Sequence, residues 1–362
     1  MNPNKINILS IDGGGYRNIM SVMILMELEL RSKRNISSMF NMIGGTSFGA
    51  IIAACLNYPT LLNAKKPKYM TKDILSAWNK DMPKIFNNQN LISTDYSYYV
   101  TMMHYNIGSE VQKYDGLGKQ KLLANLFQTK GFSHSIRQLL IPAFSIDMED
   151  TIWFDSTMGQ PDKANLPQNE ISNEKNEYSD NQKLSANLED ITFFQAVDAS
   201  TTTPTLFPLV KHPLADGEEH HFIDGGEGKG IANKNNPTYS LVVEALRQGY
   251  KSENINVISV GSGKYDFAPT ATDQDVAQID AKMFWADPLY NPISSESDKI
   301  HQQIQDMLPE SNYVRLQPTL PNTKQYQFDG CSYDENQELC QIACDYLHNN
   351  QELINKALGL LI

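Results

Sequence analysis

The chain has 362 residues, 41% of them hydrophobic and 20% charged, with a formal net charge of −12. That length can bury a sizeable core, and that apolar content excludes global disorder. The acidic balance, without a lysine or arginine stripe, disfavours nucleic-acid polymers as partners and purely electrostatic docking on anionic membranes.

Residues 1–7 carry no basic region followed by an apolar run and cleavage site, so a cytoplasmic start without a secretory signal is expected. No run approaches the roughly 18 apolar residues that a membrane-spanning helix needs. Residues 5–12 predict a first buried strand, which stops at Asp12-Gly-Gly-Gly-Tyr-Arg17; the dense apolar stretch 19–30 then predicts a helix. Residues 37–43 predict a second strand running into Gly45-Thr-Ser-Phe-Gly49, from which a small-residue apolar helix leaves. Two glycine-rich turns thus follow consecutive strands of a βαβ unit. They would lie at the carboxyl ends of those strands, where open α/β sheets place their sites.

Farther on, a helix is expected over 71–81 and another over 118–128. The aromatic stretch Tyr96-Ser-Tyr-Tyr-Val-Thr-Met-Met-His-Tyr105 reads as core or packed loop in preference to a lid beside an apolar channel. Strands are expected at 138–146 and 151–155. Residues 160–187, rich in Asn, Asp, Glu, Lys, Ser and Pro, read as a solvated surface loop. A helix over 191–199 is broken by Ser200-Thr-Thr-Thr-Pro204. A short strand from His220 ends in Asp224-Gly-Gly226, a helix spans 237–248 with Pro at its start, and a strand covers 255–260. From 264 the βα rhythm stops, leaving a helix near 297–307, a strand at 313–316 and a C-terminal helix from 336. The expected organisation is an α/β domain over 1–263 and a mostly helical extension or cap over 264–362, outside the sheet.

Four cysteines are present. Cys340, Cys344 and His348 would share a helix face, but Cys-x3-Cys-x3-His is not a common zinc spacing and no fourth ligand is evident. Core thiols are the expectation, with no metal and no cofactor.

Chemistry concentrates at the glycine turns. Gly45, Ser47 and Gly49 fit G-x-S-x-G, a strand-to-helix turn that exposes a serine at the positive end of a helix dipole. The turn alone leaves Ser47 as either nucleophile or helix cap. Acyl transfer also needs a base and donors for an oxyanion. Asp224 can supply the carboxylate, and Gly13, Gly14 and Gly15 unobstructed backbone N–H groups. The triple-glycine turn could equally cradle a phosphate, yet it lacks the G-K-[ST] and G-x-G-x-x-G continuations.

Taken together, Asp-Gly-Gly-Gly-x-Arg at 12–17, Gly-x-Ser-x-Gly at 45–49 and Asp-Gly-Gly at 224–226 occur in the order of the patatin-like phospholipases, which the chain resembles over about residues 5–263. Ser200-Thr-Thr-Thr-Pro-Thr-Leu-Phe-Pro208 is similar to the family's Ser-Ala-x-Pro segment. Ile231-Ala-Asn-Lys-Asn-Asn-Pro237 resembles its Ala-Asn-Asn-Pro, and Ile258-Ser-Val-Gly-Ser-Gly263 its Ser-Leu-Gly-Thr-Gly. The resemblance implies a three-layer α/β/α fold with a mainly parallel central sheet, plus a C-terminal extension. It implies hydrolysis of acyl esters of membrane phospholipids by a Ser–Asp dyad without a catalytic histidine. Ser47 would be the nucleophile, Asp224 the base, and Gly13, Gly14 and Gly15 the oxyanion hole. Arg17 would orient that loop or meet a headgroup, against the plainer reading of a surface cation at a helix start. Gly45, Gly49, Gly225 and Gly226 would shape the turns.

One departure is Glu227-Gly-Lys-Gly230, which lengthens the loop behind Asp224 and would let it act as a gate, with Lys234 interrupting the later motif. A rival Ser–His–acid triad would use His220 or His221, but these precede Asp224 on one strand, against the usual chain order. They are expected to be strand-surface histidines. A catalytically idle lipid- or protein-binding module is disfavoured by the intact Ser47 and Asp224. Bacterial members of the family include effectors switched on by a cyclic nucleotide or by a host protein. The resemblance therefore implies an activator of one of those kinds and action at membrane surfaces, and leaves export and oligomerisation open.

Overall fold

The computed structural model describes residues 4–86, 112–157, 191–214, 217–226, 234–265, 290–321, 324 and 326–361, with only the backbone over 290–296. The aromatic stretch 96–105, the loop 160–187 and the lengthened turn 227–230 lie outside the described residues.

The strands, in chain order, are β1 (Ile6–Ile11), β2 (Met42–Gly45), β3 (Gln138–Ser145), β4 (Asp150–Asp155), β5 (Val210–Pro213), β6 (Glu219–Asp224), β7 (Ile255–Val260), β8 (Lys264–Tyr265), β9 (Tyr313–Leu316) and β10 (Thr319–Leu320). All but β8 and β10, which pair with each other, belong to one sheet. Parallel pairing links β3, β2, β1, β7 and β9 in that order. Antiparallel pairing adds β4 and β6 to β3, and β5 to β6. The helices are α1 (Ile19–Ser32), α2 (Ile36–Met39), α3 (Phe48–Asn57), α4 (Thr71–Lys80), α5 (Leu117–Phe127), α6 (Phe193–Ser200), α7 (Thr238–Arg247), α8 (Tyr290–Met307), α9 (Tyr333–Asn349) and α10 (Gln351–Leu360).

Helices cover both faces, as a parallel sheet requires. Successive side chains of β1 serve opposite layers. Leu9 and Ile11 join the larger core with α1, α3 and α6, and Ile6 and Ile8 the smaller one with Leu241, Val242 and Ala245 of α7. The fold is thus a mixed α/β sandwich around a mainly parallel sheet, in line with the expected class.

Two expectations change. Residues 36–39 form a helical turn and the strand begins only at Met42. The Ser38 N–H and hydroxyl both donate to the Asn35 carbonyl, at 2.8 and 2.7 Å, so local side-chain bonding closes a turn where the apolar pattern suggested a strand. The strand expected outside the sheet, β9, extends it beside β7, matching Val257 to Tyr313 and Val260 to Leu316. Its strand character was readable, but its partner lies far away in sequence.

The feature that positions the site is β3. β4 pairs with it from Leu140 to Ser145 and so fills one edge. On the other edge β2 occupies residues 138–140 and β6 residues 143–145, running in opposite directions. Their carboxyl ends therefore meet head-on, bringing the turn after Gly45 to the turn after Asp224.

Candidate active site

β2 ends at Gly45 and α3 begins at Phe48, so Ser47 carries the whole change of direction. Its backbone sits at φ 54 and ψ −130, a conformation costing a non-glycine residue on the order of 1–3 kcal/mol. The turn is held by Thr46 N–H to the Ile11 carbonyl (3.2 Å) and by Ser47 N–H to Ser200 Oγ (3.1 Å). A side chain on Gly49 would lie 2.5 Å from the Asp12 carbonyl oxygen, so glycine there lets α3 start directly against the end of β1. The strain at Ser47 keeps its hydroxyl off the helix. It makes no capping bond and lines the same cavity as Asp224, whose carboxylate feels its hydroxyl.

Asp224 is buried at the end of β6, with its backbone N–H on the Thr202 carbonyl at 2.9 Å. Oδ1 accepts from the Gly226 N–H and Oδ2 from the Thr203 hydroxyl, each at 2.9 Å. Burial pushes its pKa above the ordinary aspartate value; the nearby Ser47 hydroxyl, the bonds from Gly226 and Thr203, and the charge of Lys119 pull the other way without cancelling that rise.

The cavity over these two residues is lined by Gly14, Gly15, Phe48, Thr203, Leu206, Gly226, Asn235 and Phe328. Gly15 has φ +59, and a Cβ on it would sit 2.2 Å from the Phe328 carbonyl oxygen. Gly13 departs from the expected donor role: its N–H is engaged by the Asn235 carbonyl at 3.0 Å. Among the described residues, the N–H groups of Gly14, Gly15 and Phe48 have no acceptor, Phe48 because it opens a helix. Gly225 and Gly226 carry the chain past β3 and back under Asp224.

Arg17 is buried and not a surface cation. Its Nε donates to the Gly14 carbonyl at 3.4 Å and its guanidinium lies 4.4 Å from the Phe328 ring centre. That placement suits a group that orients the glycine loop and not one that meets a headgroup. His220 is buried too, against the expectation of a strand-surface residue, while half-buried His221 pairs with Asp147, Nδ1 to Oδ1 at 3.0 Å. Among the described residues, no histidine lines the Ser47 cavity. His104 lies outside them.

Three contributors escaped sequence reasoning. Ser200 and Thr203 were read as a helix break within a segment resembling one of the family's, with no role assigned to either hydroxyl, although a run of hydroxyls after an apolar helix is unusual enough to flag. Lys119 shares one helical stripe with Leu122, Leu123 and Leu126 and is buried with them. A cation in an apolar stripe was a legible anomaly. The cysteines are free, and among the described residues no cluster of His, Cys, Asp and Glu is placed to hold a metal. Nor, among them, is any helix long and apolar enough to cross a membrane.

The family model for patatin-like phospholipases matches residues 9–242, more than half of the chain and every glycine turn described above. The chain belongs to the patatin-like phospholipase family. Patatin-like protein 3 of Arabidopsis thaliana is 26% identical over 285 residues, covering 71% of this chain and 59% of that one. Patatin-17 of Solanum cardiophyllum is 22% identical over 386 residues, covering 98% and 88% respectively. This patatin-like chain thus spans less than two thirds of the Arabidopsis relatives it matches. Among solved structures, VipD from Legionella pneumophila aligns with a TM-score of 0.40 at 13% identity, covering 95% of this chain and 67% of its own. Human GIVD cytosolic phospholipase A2 aligns at 0.37 and 10%, covering 99% and 61%.

Proposed function

We propose that the chain is a serine lipid acyl hydrolase of phospholipase A type, cleaving fatty acyl esters of membrane phospholipids through a Ser47–Asp224 dyad. One observation carries this reading: a strained serine at a helix N-terminus shares one cavity with a buried carboxylate and with residues whose N–H groups lack acceptors among the described residues. Ser47 Oγ attacks the ester carbonyl carbon and its proton passes to Asp224. The carbonyl oxygen becomes an oxyanion that Gly14, Gly15 and Phe48 can meet with N–H donors. Collapse expels the alcohol, which takes the proton from Asp224 and leaves an acyl-Ser47 ester. Water, losing a proton to Asp224, attacks that ester; the fatty acid departs and Ser47 is restored.

Asp224 is a weak base by nature, and the rise in its pKa brings it nearer the working range of a general base. The helix dipole behind Ser47 favours the developing alkoxide. A triad reading has no supporting contact among the described residues. Phe48, Leu206 and Phe328 give the cavity apolar walls suited to an acyl chain.

The test is hydrolysis of phospholipid vesicles and of a soluble acyl ester by the wild type and by Ser47→Ala, with mass spectrometry of the trapped acyl-enzyme. Equal turnover by the two proteins would sink the reading. Activator dependence, by a cyclic nucleotide or a protein, belongs to the same proposal, as does action at a membrane surface. Full vesicle hydrolysis by purified protein with nothing added would remove the activator.

A further inference from the structure

The ammonium of Lys119 is almost completely enclosed, with the side chain 1% exposed. It forms an ion pair with Asp198 Oδ1 at 3.0 Å, donates to the Asp198 carbonyl at 3.0 Å and to the Thr202 hydroxyl, and lies 5.2 Å from the centre of the Phe207 ring. The other oxygen of Asp198 is 3.1 Å from His212 Nε2. Such a pair is hard to explain by stability, because desolvating both charges offsets most of their attraction and a well-packed apolar pair commonly does as well.

What Lys119 holds is the segment 200–203. Ser200 Oγ accepts the Ser47 N–H, the Thr202 carbonyl accepts the Asp224 N–H, and the Thr203 hydroxyl donates to Asp224 Oδ2. Three of its four residues therefore touch one or other member of the proposed dyad. The same segment is pinned from behind by a fixed cation.

We infer that Lys119 is a positioning residue for ester hydrolysis: its buried ammonium fixes the segment 200–203, against which Ser47 and Asp224 are both aligned. This rests on the dyad reading above. The charged and titratable groups concerned are few. Lys119 of α5 pairs with Asp198 of α6, Asp198 in turn meets His212 of β5, and the Lys119 charge is felt at Asp224. Burial would raise the Asp198 pKa, but Lys119 and His212 outweigh it and keep that group below its ordinary value. Asp198 is thus the counter-ion that keeps a cation in this place, although burial lowers the Lys119 pKa. The positive charge opposes the burial-driven rise at Asp224. Without it, Asp224 would bind its proton to a higher pH.

The experiment compares kcat and KM for a soluble acyl ester across pH, alongside thermal unfolding, in the wild type, Lys119→Arg, Thr202→Val and Lys119→Met/Asp198→Asn. The double variant removes both charges together, so no lone ion is left buried, and an asparagine can still accept from His212. Its Tm is expected near that of the wild type. Its kcat is expected to fall by about 10- to 100-fold, as when a charged hydrogen-bonding partner is lost, with KM little changed. Its acid limb is expected to move to higher pH. Lys119→Arg should leave the limb where it is, and Thr202→Val should lower kcat without moving it. A folded double variant with the wild-type kcat and the wild-type limb overturns the inference. Ser47→Ala, run in parallel, separates the two questions: retained turnover there rejects the nucleophile, whatever the Lys119 variants do.

Discussion

Arg315 of β9 forms a two-pronged ion pair with Asp12, the residue that opens the glycine loop. Nη1 is 2.8 Å from Oδ1 and Nη2 contacts Oδ2, across 303 positions of sequence. Ser297 also donates to Oδ2, at 3.0 Å, and the Arg315 side chain reaches Ser259 and Gln317. Burial alone would lower the arginine pKa, but the Asp12 carboxylate outweighs that and holds it above its ordinary value. The loop that lines the candidate site is therefore braced by the last hundred residues. Tyr16 N–H on the Phe328 carbonyl, at 2.6 Å, adds a second brace.

Removing one partner of such a pair strands the other in a buried place. Arg315→Met should cost about 3–5 kcal/mol in urea unfolding, and Asp12→Asn with Arg315→Met should recover most of it. Ester turnover of the single variant should fall with the slackened loop. An unfolding midpoint equal to that of the wild type would show that the brace carries no load.

The acid limb of kcat/KM for a soluble ester should lie above the ordinary aspartate range. The sign follows from the burial that raises the Asp224 pKa: its base form is lost as pH falls through that raised value, sooner than for an exposed aspartate. A rate that holds level down to about pH 4, where a free aspartate is half protonated, would contradict the assigned base.

Thr203→Val keeps shape but removes the bond to Asp224 Oδ2. The expected result is a kcat about 10- to 100-fold lower, with KM and Tm near those of the wild type. Stopped-flow acylation would show whether the loss lies in the step that needs the base.

Gly15→Ala should destabilise by roughly 1–3 kcal/mol, because a side chain is strained at φ +59 and would press on the Phe328 carbonyl. Calorimetry reads the loss directly.

His221→Ala should leave ester turnover within about twofold of the wild type, because its ring pairs with Asp147 and does not line the cavity. A tenfold drop in a folded protein would revive the triad.

The three glycine turns were legible because their chemistry is local: the residues that bend the chain adjoin those that would react. Ser47 and Asp224 could be singled out for that reason. Their pairing was expected only through the family resemblance and not from the residues themselves, since it depends on both strands choosing the same edge of β3. Gly13 was misread as a donor because its carbonyl partner, Asn235, lies on a segment whose return to the loop is purely tertiary. β9 was placed outside the sheet because a short apolar run tells that a strand has a partner and not which one. Lys119 was different. Its anomaly stood in the apolar stripe of α5 and needed only to be asked about.

Because β2 and β6 abut along a common neighbour, β3 acts as a ruler with one-residue graduations. Gly44 is read against Leu140 and Asp224 against Ala143. A slip of β6 by one notch would not loosen the encounter with Ser47; it would turn the carboxylate to the opposite face of the sheet. The spacing is therefore digital, and variants along these three strands should yield either the full site or none.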